Sequence, residues 1–399
     1  MTNKKIELLA PAGDLERLKI NLLYGADAVY FGGKKYSLRA NASNFGLEEI
    51  KEACDFAHKL GKKVFLTLNI VFHNEDIEGV EEYIKQVVEC GIDAFIISDP
   101  FIINHIVTNY PNVEAHLSTQ NSTTNKDTVL FFKEQGVKRV VLAREVSLNE
   151  MKEIIDETQT DIEVFIHGAM CTFYSGRCCL SNYVTNRDSN RGGCAQICRF
   201  AYNLEEDDSN DTKFTMATKD LNLSRHIKDL IDIGVTSLKV EGRMRSLYYT
   251  ATVIGTYRKI IDYYYENRED KEYLEEQYRI LDRVANRETS SHYLLKKADH
   301  TDQYYTGRQE LSNQDFLGLI KGYDKDKKIL TLTERNYFKL GDIVELFTPS
   351  GRTYAFTIDK MYNENMEEID TARHPEEIIN ILVDIPFEVE EYSMMRIKV

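Results

Sequence analysis

Apolar residues in the first two-thirds of the chain follow one repeating order. Gly25-Ala-Asp-Ala-Val-Tyr-Phe, Gly91-Ile-Asp-Ala-Phe-Ile-Ile, Gly136-Val-Lys-Arg-Val-Val-Leu and Gly234-Val-Thr-Ser-Leu-Lys-Val each place a glycine ahead of a short apolar run. The glycine suits the left-handed position that ends a helix. A run that is apolar on both faces suits a buried parallel strand. Between these runs, Leu47 to Leu60, Ile77 to Cys90 and Leu148 to Thr158 carry apolar residues at three- and four-residue spacing, which predicts helices. Strands are predicted at Ile6 to Ala10, Ala28 to Phe31, Val64 to Leu68, Ala94 to Ile97, Glu114 to Leu117, Arg139 to Leu142, Glu163 to Ile166 and Ser237 to Val240. Eight strands alternating with helices predict an α/β fold, a (β/α)8 TIM-like barrel. An open doubly wound sheet is the competitor, but no Gly-rich phosphate turn supports it.

The spacing breaks once. About 70 residues separate the strand at Glu163 from that at Ser237, where earlier steps are about 20 to 35. This predicts an insertion over about 168–212, with a solvated acidic stretch from Glu205 to Asp211. The last barrel helix is expected from Leu247 to Tyr265, closing a catalytic domain at 1–265, and 266–310 reads as helix and linker. Beyond that the period becomes two, in Phe316-Leu-Gly-Leu-Ile, Ile329-Leu-Thr-Leu-Thr, Ile343-Val-Glu-Leu-Phe, Tyr354-Ala-Phe-Thr-Ile and Ile379-Ile-Asn-Ile-Leu-Val. Such alternation predicts a small antiparallel β-barrel domain at 311–399.

Composition narrows the class. The net charge of −15 argues against broad, non-specific nucleic-acid binding, though a local basic patch stays open. The N-terminus shows no signal-peptide pattern and no run is long enough to span a bilayer, so the expected location is cytoplasmic. In a reducing compartment the seven cysteines are not expected to form a disulfide framework. Cys54 and Cys90 stand alone on predicted helices and read as small core residues.

The other five cysteines fall within 28 positions, as C-x6-C-C-x14-C-x3-C. Four thiolates can hold zinc or an iron–sulfur cluster. The paired C-x2-C knuckles of structural zinc sites are missing, and the wider spacing suits a cluster held by a loop. Cys171, Cys178, Cys194 and Cys198 are the expected ligands, because Cys179 adjoins Cys178 too closely to reach the same metal. Arg177, Arg187, Arg191 and Arg199 accompany them, with Asp188 the single acid between Gly168 and Phe200. This local balance of +3 either offsets the charge of a thiolate-bound cluster or grips an anionic substrate.

Glu163, Phe165, Gly168, Ala169, Met170, Cys171, Gly176, Cys178 and Ser181 resemble the signature of the collagenase-like U32 peptidase family. Glu7-Leu-Leu-Ala-Pro-Ala-Gly13, His116-Leu-Ser-Thr-Gln120, Leu142-Ala-Arg-Glu145 and Lys239-Val-Glu-Gly-Arg243 carry the likeness along nearly the whole chain. Arg335 to Asp342 and Ala372-Arg-His-Pro375 resemble the longer, tRNA-hydroxylating type of member. The resemblance implies 5-hydroxyuridine formation at the tRNA wobble position, with prephenate as co-substrate and a [4Fe-4S] cluster as cofactor. It leaves room for a paralogous member as partner. Other members hydroxylate a ribosomal RNA cytidine or a ubiquinone precursor. The ubiquinone type takes its fourth ligand from a cysteine after Lys-Asp-Leu, and that place here is Asn222. Cys198 then completes the set.

An anionic substrate calls for arginines at strand ends. Arg144 and Arg243 follow the strands at Arg139 and Ser237, Arg39 lies in the loop after the second strand, and Arg177 lies in the cysteine loop. Glu145 and Glu241 are expected to orient the guanidinium groups or to act as acid–base partners. A structural salt-bridge network at the barrel mouth is the alternative. Asn69 and His116 are similarly placed and are expected to line the pocket. The family name also implies proteolysis, for which His167 or His116 would have to pair with Cys179. No His-Glu-x-x-His and no Gly-x-Ser-x-Gly is present. A non-catalytic binding protein is the third possibility.

Overall fold

The computed structural model describes residues 5–38, 44–203, 214–285, 287–304 and 315–398. Seven strands run in parallel in chain order: β1 (Glu7–Pro11), β2 (Ala28–Gly32), β3 (Lys63–Leu68), β4 (Ala94–Ile97), β5 (Glu114–Leu117), β6 (Arg139–Val141) and β7 (Asp161–Gly168). A short strand β8 (Asp220–Asn222) lies antiparallel on the end of β7, and β9 (Ser237–Val240) pairs in parallel with both β7 and β1. This last double pairing closes the barrel, with β1 to β7 and β9 as its eight staves. A further strand, β10 (Thr289–Ser290), extends the sheet from β8.

The helices between the strands are α1 (Leu15–Leu23), α2 (Leu47–Lys59), α3 (Asn74–Ile77), α4 (Val80–Glu89), α5 (Pro100–Asn109), α6 (Lys126–Glu134) and α7 (Leu148–Thr158). Their starts are set by polar caps: Asp14 accepts from the Arg17 amide, Asp99 from Phe101, and Ser147 and Glu150 form a capping box. Their apolar faces and the outward residues of the strands form one continuous core. Inside the staves a smaller cluster of Leu9, Ala28, Tyr30, Phe65, Ala94 and Ile96 fills the lumen. In the long connection after β7 come α8 (Leu180–Thr185) and then α9 (Ile227–Asp232). After β9, α10 (Leu247–Tyr265) packs on the barrel and α11 (Lys271–Val284) packs on α10.

The C-terminal region is an antiparallel sheet domain. Its strands are β11 (Phe316–Asp324), β12 (Ile329–Glu334), β13 (Phe338–Lys339), β14 (Ile343–Phe347), β15 (Thr353–Thr357), β16 (Met361–Tyr362), β17 (Glu368–Ile369), β18 (Thr371–Ala372), β19 (Ile378–Leu382) and β20 (Met394–Ile397). Eight of them form a sheet that begins at β15 and ends at β17, while β13 and β18 make a separate pair. The domain seats on the barrel's outer helices: Phe316 stacks on Tyr248 at 4.8 Å, and Tyr24 donates to the Tyr392 carbonyl at 2.8 Å. No helix among the described residues is long and apolar enough to cross a membrane.

Candidate active site at the barrel mouth

The β7 strand delivers the chain to the C-terminal rim of the barrel, and the cysteine loop begins three residues beyond Gly168. A side chain at Gly168 would strike the Glu241 carbonyl at 2.6 Å, so the rim closes only around glycine. The loop is then pinned on both sides. Toward β5, Ser122 donates to the Ser175 carbonyl at 2.6 Å, and a side chain at Gly176 would meet the Gln120 carbonyl at 2.3 Å. Toward β3, Val71 donates to the Asn190 carbonyl at 3.0 Å, and Arg191 forms ion pairs with Asp76 and, at 3.1 Å, with Glu75.

Internal hydrogen bonds fold the loop on itself. The Cys178 carbonyl accepts from Asn190 at 2.9 Å and from the Ser189 hydroxyl, and the buried Ser181 hydroxyl accepts from the Ala195 amide at 3.2 Å. The Cys198 carbonyl accepts from Met216, and Thr172 donates to the Met216 carbonyl at 2.5 Å. All seven cysteines are free thiols.

Four of them interact electrostatically. Burial pushes the Cys171 thiol up, a backbone contact at Phe173 and the Arg144 cation oppose this, and Cys198 and Cys178 raise it further. Burial also raises Cys198, against Arg199 and Thr172, with Cys194 and Cys178 adding to the rise. The chain thus brings Cys171, Cys178, Cys194 and Cys198 into one neighbourhood flanked by cations. This donor set suits a thiolate-held metal group, whose own positive charge would reverse those upward shifts. Among the described residues, no three His, Cys, Asp or Glu side chains converge closely enough to hold a single metal ion.

Arg144 lies between the end of β7 and the cysteine loop. Its guanidinium lies 3.8 Å above the Phe165 ring and donates to the Ser175 hydroxyl at 3.4 Å. Burial lowers its pKa from the ordinary arginine value, and Glu241, Cys171 and Glu145 oppose the fall. Glu145 in turn has its carboxyl raised by burial. Arg144, Glu145, Glu241 and Cys171 therefore share one electrostatic site.

Arg243 is placed differently. Its buried guanidinium donates to the Ser37 hydroxyl at 3.1 Å and to the Leu38 carbonyl, which commits it to the loop after β2. Asn69 accepts from the Leu38 amide at 3.3 Å and donates to Ser118 at 3.4 Å, bracing the same loop. Arg177 is exposed on the cysteine loop. Arg39 lies outside the described residues.

The model of peptidase family U32 matches residues 13–304, and that of the family's C-terminal domain matches 312–396. The chain belongs to peptidase family U32. A member from Bacillus subtilis named tRNA hydroxylation protein P1 is 46% identical, over 96% of this chain and 92% of its own. The Escherichia coli 23S rRNA 5-hydroxycytidine C2501 synthase is 37% identical over 68% of this chain and 41% of its own. A Porphyromonas gingivalis member named collagenase is 33% identical over 77% of this chain and 78% of its own.

The two candidate histidines, His116 and His167, are both buried. His116 is buried in the lumen, with Nε2 2.9 Å from Glu114 and its ring edge-on to Phe65. His167 is buried between β7 and α10, with Nδ1 3.1 Å from the Tyr257 hydroxyl. Tyr248 and Tyr249, at the start of α10, are buried too.

The sequence reading missed two groups. Inside this U32 barrel, Arg139 bridges Glu7 at 2.5 Å and Glu163 at 3.0 Å, and Lys239 reaches Glu163 at 2.8 Å. Burial pushes the Glu163 carboxyl up, but Lys239 and Arg139 outweigh it and hold its pKa at about 2. Charges in the middle of otherwise apolar strands were the available signal, since a buried charge needs an opposite partner. The second group is Asp220 with Arg245 at 2.9 Å and Arg287 at 3.2 Å. Arg199 belongs to it: burial lowers its pKa, and Arg287 lowers it further.

Proposed function

We propose that this chain hydroxylates C5 of the tRNA wobble uridine, with prephenate as co-substrate and a [4Fe-4S] cluster on Cys171, Cys178, Cys194 and Cys198. What supports the reading is one loop at the barrel mouth that carries Cys171, Cys178, Cys194 and Cys198 as free thiols, with Cys171 beside the Arg144 cation. It occurs in a chain 46% identical to a protein named for tRNA hydroxylation. Strand C-termini are where barrel enzymes build their active sites.

Replacing C5–H by C5–OH takes two electrons from the base and adds one oxygen atom, so the reaction needs an oxygen donor and a two-electron acceptor from outside the chain; a cluster held by the four cysteines would relay those electrons. Arg144 holds a carboxylate of the co-substrate, a pairing that the low polarity of the buried site strengthens and that offsets the cost of burying the cation. Glu241 orients that guanidinium. Glu145, with its carboxyl raised by burial, is placed to take or give a proton beside it.

The test is nucleoside mass spectrometry on tRNA from cells lacking the gene. 5-Hydroxyuridine should vanish, return with the wild-type chain, and stay absent with Cys171→Ser or Arg144→Ala. Unchanged 5-hydroxyuridine in the deletion strain refutes the assignment.

The relative named collagenase favours a second reading, a thiol peptidase. It would need Cys179 beside a base, and His116 and His167 are buried against Glu114 and Tyr257 instead. Cleavage of a collagen-like peptide by the metal-free chain, lost in Cys179→Ser, would establish it. The expected result is no cleavage.

A further inference from the structure

We propose that Tyr174, Tyr183, Phe200, Arg177 and Arg187 form the surface on which a single-stranded loop of RNA docks. Bases stack on the rings and phosphates meet the guanidinium groups. The proposal rests on the RNA reading above and assigns that reading a surface.

The aromatic side chains come first. Of the seven large aromatic residues exposed among those described, three, Tyr174, Tyr183 and Phe200, belong to the cysteine loop. Tyr183 is 90% exposed, on the outer side of α8, whose Ser181 is buried and holds the amide next to Cys194. Tyr174 neighbours the mouth, since it and Glu145 both raise the pKa of Tyr293. Exposed rings beside a reaction centre give sequence-tolerant platforms for unstacked bases.

Charge selects the occupant. The chain as a whole carries −15, while the loop carries +3. The four arginines divide by task. Arg191 is spent on Asp76 and Glu75, and Arg199 joins the group around Asp220. Arg177 and Arg187 are exposed and form no ion pair with a described carboxylate. The loop's one acid, Asp188, is turned inward to cap the Asn190 amide at 2.9 Å. Two outward cations among exposed rings fit a polyanion with flat bases better than an apolar peptide.

The full chain is purified anaerobically and titrated into a fluorescently labelled, unmodified tRNA transcript with uridine at the wobble position, at several salt concentrations. Tyr183→Ala should weaken binding about tenfold or more with the salt slope kept, and Tyr183→Phe should restore it. Arg177→Ala and Arg187→Ala should each flatten the salt slope by about 0.7. Wild-type binding that is unchanged in a combined Tyr183→Ala, Arg187→Ala chain overturns this surface and leaves the RNA reading standing. A wild-type chain that binds no tRNA, with hydroxylation intact in cells lacking the gene, overturns both. Binding of a collagen-like peptide that Tyr183→Ala abolishes, without tRNA binding, assigns the surface to a polypeptide and overturns the proposal.

Discussion

The imidazole of His167 has left water for a pocket formed by Tyr257 and Tyr249, and burial drops its pKa from 6.5 to about 3. The unfolded chain takes up a proton near pH 6.5 and the folded chain only near 3, so the unfolded state binds more protons across that window. Its contribution to stability is complete above pH 6.5 and drains as the pH falls. Glu114, lowered from 4.5 to about 2 by its hydrogen bond to His116, adds a loss of the same sign below pH 4.5. Denaturant unfolding of His167→Phe should therefore show a flatter pH dependence than wild type between pH 6.5 and 4.5. Equal slopes would mean the ring is protonated without penalty. The position of His167 at a strand end was legible in the sequence, but its direction was not. Strict alternation from Glu163 and Phe165 would aim it into the lumen, and the register shift between Phe165 and His167 lets it pack on α10 instead.

Among the strands, β6, β7 and β9 carry an ion network in place of part of the apolar filling. The side chains of Arg139, Glu163 and Lys239 are all at most 4% exposed. Removing one partner of a buried pair leaves the other charge uncompensated, a loss of about 3–5 kcal/mol. Lys239→Met should cost that much in urea unfolding, and Glu163→Gln added to it should recover part of the loss. A cost below about 1 kcal/mol would show that the pair is no better than a surface ion pair. The strands themselves were readable because their apolar runs and leading glycines are local features. The helix expected at Ile77 to Cys90 starts three residues later, as α4 at Val80, after the short separate helix α3 that ends at Ile77.

For the whole molecule, the sheet domain and the barrel share one apolar core, which Phe347 and Met394 enter from the C-terminal side. Phe347 meets the rings of Tyr24 and Tyr248 and is buried. Phe347→Ala should cost about 3–4 kcal/mol. The loss should appear as a lowered midpoint in thermal unfolding. A single unshifted transition would show that the domains are energetically independent.

The chain's local chemistry was enough to specify eight barrel strands, a long excursion after the seventh, and five cysteines confined to that excursion. Hydrophobic period and glycine placement act over a few residues, so they survive in one dimension. Which cations remain available was decided only in three dimensions. Arg191 meets Asp76, 115 positions away, and Arg243 meets Ser37, 206 positions away. No spacing rule encodes such pairings, because an arginine's partner is set by how closed strands bring distant loops onto one rim.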